Sequence, residues 1–146
     1  MSEANDRYDA LSVNSDGSLI VVLIVEDEFL VRMVASNMLA DGGYDVLEAG
    51  NAAEALILIN ARADISLIFT DVDMPGDVNG FGLAHLVHTR TPHLPIIVTS
   101  GARLPGEADL PGSSKFLPKP YSFPVLLGMI QHMTGAVGGG GREAQI

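Results

Sequence analysis

Six side chains in this sequence have types and settings that suit phosphoryl chemistry. Glu26 and Asp27 follow the apolar run Leu19–Val25, and Asp71 ends the run that begins at Leu67. Asp73 stands two residues further on, Ser100 closes the stretch Pro95-Ile-Ile-Val-Thr-Ser100, and Lys119 follows Phe116-Leu-Pro118. A carboxylate at the end of a buried strand is costly to desolvate unless a cation or hydrogen bonds compensate it. Asp71 alone reads equally well as a loop cap, since Asp is a common turn residue. Three carboxylates gathered within a few ångströms repel one another unless a divalent cation sits among them. Oxygen donors without His or Cys favour Mg²⁺. A lysine and a hydroxyl beside such a cation form a cradle for a phosphoryl group, whose charge needs positioned donors. A carboxylate can itself be the nucleophile, giving an aspartyl phosphate, and Asp71 is the best-placed candidate.

Positioning these residues requires strands that end on one rim. Leu19–Val25 shows no polar alternation, as expected of a strand buried on both faces. Apolar residues at 30, 33, 34 and 38 fit a helix that Gly42-Gly43 stops. Tyr44–Ala49, interrupted by polar residues, reads as a strand nearer an edge, and Ala52, Ala55, Leu56 and Ile59 mark a helix with Asn51 as N-cap. After the strand into Asp71 come a loop to Gly80, a helix over Phe81–Arg90, a strand over Pro95–Ser100 and a weak strand over Ser114–Leu117. A last helix carries Leu126, Met129, Ile130 and Met133, with Ser122 as N-cap and Gly135 as its stop. This alternation predicts a parallel α/β sheet covered on both faces. Right-handed crossovers then bring Glu26, Asp27, Asp71, Ser100 and Lys119 to one rim.

Composition removes several other classes. With 8 basic and 18 acidic residues and a formal charge of −10, the chain lacks the clustered Lys and Arg of a nucleic-acid surface. The absence of cysteine excludes disulfides, thiolate metal sites and thiol nucleophiles, and suits a cytoplasmic setting. The N-terminus lacks the pattern of a signal peptide, and no apolar run approaches the length of a membrane span. The expected organisation is a loose tail over residues 1–18, a domain over 19–134, and a Gly-rich tail over 135–146.

Four separated motifs, in order, resemble the receiver domain of two-component response regulators over residues 19 to 134. They are Val25-Glu26-Asp27, Thr70-Asp71-Val-Asp-Met-Pro75, Pro95-Ile-Ile-Val-Thr-Ser100-Gly101 and Phe116-Leu-Pro-Lys119-Pro120. The resemblance implies a flavodoxin-like, doubly wound five-stranded sheet of order 2-1-3-4-5. It implies Mg²⁺-dependent phosphoryl transfer onto Asp71 from a histidine kinase or histidine phosphotransfer protein. Glu26 and Asp27 match the family's metal-site acids, and Asp73 the position whose backbone carbonyl binds the metal. Ser100 matches the switch hydroxyl, Gly101 its small neighbour, Phe116 the switch aromatic and Lys119 the site lysine. A cis Lys119-Pro120 bond is also implied. The expected protein is a stand-alone, cytoplasmic regulator, monomeric or weakly dimeric, that catalyses only its own phosphorylation and dephosphorylation and signals to a downstream protein or within a phosphorelay.

Three features depart from the family pattern. The loop Met74–Gly80 is one residue longer than usual, and Asp73 adds an acid beside the acceptor. The segment Gly101–Lys115 carries two Pro-Gly pairs, leaving room for about one helical turn, so the fourth helix is expected to be shortened or absent. Two rival readings remain at this point. Phe69-Thr-Asp71-Val-Asp73 resembles the two-aspartate motif of haloacid-dehalogenase-like phosphatases, with Asp73 as acid/base. A binding module that signals without phosphorylation is the other. His85 and His88, three apart on a helix, read as ordinary surface histidines rather than a metal pair.

Overall fold

The computed structural model describes residues 11–106 and 108–135, and the main chain of 137–138. Five parallel strands carry the fold: β1 (Val21–Val25), β2 (Asp45–Ala49), β3 (Leu67–Asp71), β4 (Ile96–Ser100) and β5 (Ser114–Pro118). Between and after them run the helices α1 (Phe29–Asp41), α2 (Ala52–Ala61), α3 (Gly80–Arg90) and α4 (Phe123–Thr134). The strands lie in the order β2-β1-β3-β4-β5, the doubly wound arrangement expected.

Side-chain alternation along the strands divides the core in two. Val21, Leu23, Val25, Ile68, Ile96 and Val98 pack with Ala52, Ala55, Leu83, Ala84 and Val87 on the α2–α3 face. Val22, Ile24, Leu67, Phe69, Ile97 and Leu117 pack with Ala35, Leu39, Leu126 and Ile130 on the α1–α4 face. The central strands β1, β3 and β4 are buried throughout, whereas β2 at the edge exposes Asp45 and Glu48. Asn51 and Ser122 cap their helices as expected, accepting from the amides of Glu54 and Val125, and Asn79 caps α3 in the same way by accepting from the Gly82 amide. Gly135 ends α4 in the left-handed conformation at φ 67°, where an L side chain would be strained.

Three local outcomes differ from, or sharpen, the expectations. In α1 the apolar residues that mark the helix in sequence lie on its outer side: Leu30 and Val34 are 67% and 52% exposed, while Ala35 and Leu39 are buried. Their spacing fixes a helix but not which side faces the sheet. The tail expected over 1–18 is structured from Ser12 onward. Ser12 donates to the carbonyls of Gly43 and Gly42 through its amide (3.1 Å) and its hydroxyl (3.0 Å). Ser12–Val13 also pairs antiparallel with Val137–Gly138, inside the expected C-terminal tail. A turn over Asn14–Ser18, with Gly17 at φ 89°, folds this segment back so that Val13 bridges Leu19. The remainder of both expected tails lies outside the described residues. Between β4 and β5 the described residues contain no helix, only bends and turns, in line with the two Pro-Gly interruptions.

Candidate functional site

Strand register builds the site. Val25 pairs with Thr70, so the next residues, Glu26 and Asp71, are carried to adjacent positions at the rim. Asp71 pairs with Thr99, and Ser100 with Pro118. By the period of two, Glu26 continues the face of Ile24, Asp71 that of Phe69, and Lys119 that of Leu117. All three therefore stand on the α1–α4 side. Glu26 and Asp71 are buried, and Lys119 Nζ lies 3.6 Å from Glu26 Oε1 and 3.5 Å from Asp71 Oδ1. Glu26, Asp27 and Asp71 each offer a carboxylate oxygen within 4.8 Å of the others. Asp27 is the exposed member of the three.

Electrostatics follow the geometry. Burial pushes Glu26 up to about 7, with Asp71 adding repulsion and the amide of Glu28, donating to Oε2 at 3.0 Å, opposing it. Burial also raises Asp71, against the pull of Lys119. Tyr121 is pushed up to about 12, first by burial and then by the charges of Glu26 and Asp71. A carboxylate that is costly to ionise without a cation is the setting in which a hard divalent ion binds. The donor set of three carboxylates, with no His or Cys, fits Mg²⁺.

Ser100 has a different environment. Its parity along β4 is that of Val98, away from Asp71. Its hydroxyl donates to Asp73 Oδ2 at 3.1 Å and accepts from the amides of Ala102 (3.2 Å) and Arg103 (3.1 Å). The other Asp73 oxygen is held by Arg103 Nε at 2.9 Å. Asp73 thus has both oxygens engaged, an arrangement unlike a free acid/base. Gly101 is exposed beside Lys119, a Cβ there reaching Lys119 Cβ at 3.4 Å. Phe116, opposite Val98 on β5, packs part-buried against the α2–α3 core. The Lys119–Pro120 peptide is cis, as the resemblance implied.

Several contributors were not evident in sequence. Arg32 on α1 donates to the Glu26 carbonyl at 2.7 Å and pairs with Glu48 on β2 at 3.0 Å, holding the acidic turn to the sheet edge. Its place, six residues after Glu26, is the signal that could have identified it. Gly80 opens α3 where a Cβ would collide with the Asp71 carbonyl oxygen, and its amide donates to the Val72 carbonyl at 3.0 Å. Tyr121 closes the α1–α4 side of the site, edge-on to Phe69 at 5.7 Å. His85 and His88 hold the segment after β4 instead of converging: His85 Nε2 lies 2.8 Å from the Ala108 carbonyl and His88 Nδ1 3.1 Å from Ser113 Oγ.

Comparison with known proteins agrees with this geometry. Residues 22–131 match the family model described as the response regulator receiver domain. The response regulator protein FleR of Pseudomonas aeruginosa is 33% identical over 129 residues, covering 86% of this chain and 27% of FleR. The DNA-binding transcriptional regulator NtrC of Rhizobium meliloti is 35% identical over 112 residues, 75% of this chain and 23% of NtrC. The chain therefore spans about a quarter of the length of these curated relatives. Among solved structures, the receiver domain of the hybrid histidine kinase CckA superposes with a TM-score of 0.66 at 33% identity, covering 78% of this chain and 98% of that one. The site geometry and these matches converge on one family: the chain belongs to the response regulator receiver domains.

Proposed function

We propose that Asp71 accepts a phosphoryl group from a histidine kinase or histidine phosphotransfer protein, in a Mg²⁺-dependent reaction. One observation carries this reading: a buried Asp71 carboxylate lies beside Lys119 and within 4.8 Å of two further acids. One Asp71 oxygen attacks phosphorus, the P–N bond of a phosphohistidine breaks, and the imidazole keeps the electron pair. Glu26, Asp27, Asp71 and the main-chain carbonyl of Asp73 would hold the Mg²⁺. When bound, the ion neutralises charge on the phosphoryl oxygens. Lys119 moves with the same charge, drawing on its present contacts to Asp71 and Glu26. Ser100, now on Asp73, turns its hydroxyl to the phosphoryl oxygens once they arrive. Gly101 leaves the approach open, and Phe116 carries the change to the surface. The functional unit spans 19–134, with the family match at 22–131 inside it. Signalling then runs through protein contacts, either to a downstream target or onward in a relay. Among the described residues no helix is long and apolar enough to cross a membrane, and the proposed site of action is the cytoplasm.

The test is covalent labelling by acetyl phosphate, read by intact mass. Wild type with Mg²⁺ should gain one phosphoryl group, and chelation of the metal should suppress the gain. Asp71→Asn, nearly isosteric but not nucleophilic, should remain folded and unlabelled. Labelling of that variant at the wild-type rate would overturn the assignment.

A further inference from the structure

Asp73 brings a fourth carboxylate to a rim that already holds Glu26, Asp27 and Asp71, and its charge adds to the burden on Asp71. Lys119 is committed to Asp71 and Glu26. Among the described residues, Arg103 is the cation in contact with Asp73. The contacts close into a ring. The Arg103 side chain binds one Asp73 oxygen, the Ser100 hydroxyl binds the other, and the Arg103 amide binds Ser100 Oγ. Arg103 therefore touches both the extra acid and the hydroxyl that must reach the phosphoryl group.

We propose that Arg103 is a positioning residue for phosphorylation: it neutralises Asp73, so that Ser100 can leave that carboxylate for the incoming phosphoryl group without exposing a bare negative charge beside it. This rests on Asp71 being the acceptor. When Ser100 turns away, Asp73 loses one of its two donors, and only the guanidinium still compensates it. An uncompensated carboxylate two residues from the acceptor repels an anionic phosphodonor at short range. The pair is half-exposed, at 58% for Arg103 and 41% for Asp73, so the effect belongs to the modest, salt-screened class. A cationic side chain at this position holds one Asp73 oxygen while the backbone amide of the same residue serves the Ser100 hydroxyl.

The experiment measures initial rates of acetyl phosphate labelling with saturating Mg²⁺, for wild type and variants, at low and high ionic strength. Arg103→Ala should label roughly two- to fivefold more slowly at low salt, the range expected for losing an exposed ion pair. High salt should shrink that deficit. Arg103→Lys should recover most of the rate. Asp73→Asn combined with Arg103→Ala should label faster than Arg103→Ala alone, because the neutral amide needs no counter-charge and still accepts from Ser100. A merely structural role in the segment after β4 predicts neither the salt dependence nor the rescue by Asp73→Asn. Wild-type labelling with no deficit in Arg103→Ala, or a deficit that Asp73→Asn leaves unchanged, would overturn this inference while leaving Asp71 as acceptor. No labelling of wild type at all would remove both.

Discussion

The two halves of the rim are built by different means. Glu26, Asp71 and Lys119 are placed by strand register and backed by the α1–α4 core, with Glu26 and Asp71 buried. Ser100 ends β4 and is itself buried, but its hydroxyl, Asp73 and Arg103 are joined by polar bonds to a segment that contains no helix among its described residues. The first half cannot shift without disturbing close-packed strands. The second can exchange one set of polar partners for another at little cost, because each bond contributes only about 0.5–1.5 kcal/mol net. Under the proposed function this division keeps the Asp71 carboxylate fixed while the Ser100 hydroxyl is free to change partners.

One glycine in each half sharpens the contrast most. Gly80→Ala would drive a Cβ into the Asp71 carbonyl oxygen, with the Asp71 carbonyl carbon at 2.8 Å, so strand or helix must move. Overpacking of this kind costs about 1–3 kcal/mol, and a urea midpoint clearly below wild type is expected, with slower phosphorylation. Gly101→Ala places its Cβ in ordinary contact with Lys119 at 3.4 Å. Its stability should stay within ~0.5 kcal/mol of wild type, as for surface changes generally. Equal destabilisation by the two substitutions would mean that the halves are equally rigid.

Titration offers a second contrast, of intermediate size. Burial raises Glu26 to about 7, so between the ordinary glutamate range and about pH 7 the folded state binds more protons than the unfolded state. Stability conferred by this group is then fully present at low pH and falls as pH rises through that window. The raised Asp71 acts in the same direction. Melting temperatures of metal-free protein should show this decline across pH 5–7.5, and Glu26→Gln should flatten it. Saturating Mg²⁺ should flatten it as well, because a cation compensates the ionised form. A decline that survives both changes would place the titration elsewhere.

Legibility in the sequence divided along the same line. Continuous apolar runs gave the buried strands, and the acids that end them gave the fixed half, because in a parallel sheet chain position implies rim position. Ser100 ends β4 at the rim, but the partner of its hydroxyl is not readable from the sequence. The side to which a strand-end hydroxyl points depends on register and on the loop that follows. Arg103 gave no signal in a stretch read mainly from its Pro-Gly pairs. Helix α1 was legible as a helix from 30, 33, 34 and 38, yet Ala35 and Leu39 face the sheet. Small residues can pack closer than large ones, so size does not reveal the buried side. The Ser12–Val13 pairing with Val137–Gly138 joins the two ends of the described chain, a contact no local pattern announces.

The smallest expected effect concerns how the movable half is moored. His85 Nε2 faces the Ala108 carbonyl at 2.8 Å, and because a carbonyl only accepts, that nitrogen carries the hydrogen. His88 Nδ1 lies 3.1 Å from Ser113 Oγ, and Gly106 N donates to Asp109 Oδ2 at 2.7 Å. These few exposed or part-buried bonds replace the regular ladder of a helix, so amides over 103–106 and 108–113 should exchange far faster than those of β1, β3 and β4. His85→Ala removes one mooring. It should speed exchange around Ala108 a further several-fold, in keeping with one lost bond of about 0.5–1.5 kcal/mol, while the central strands keep their protection. Phosphorylation, by drawing Ser100 towards Asp71, should alter exchange at Ala102 and Arg103, whose amides now donate to its hydroxyl. Hydrogen exchange read by mass spectrometry separates these regions directly. Slow exchange over 103–106 and 108–113 that neither His85→Ala nor phosphorylation changes would show that this half is as rigidly built as the acidic half, and the division of the rim would fail.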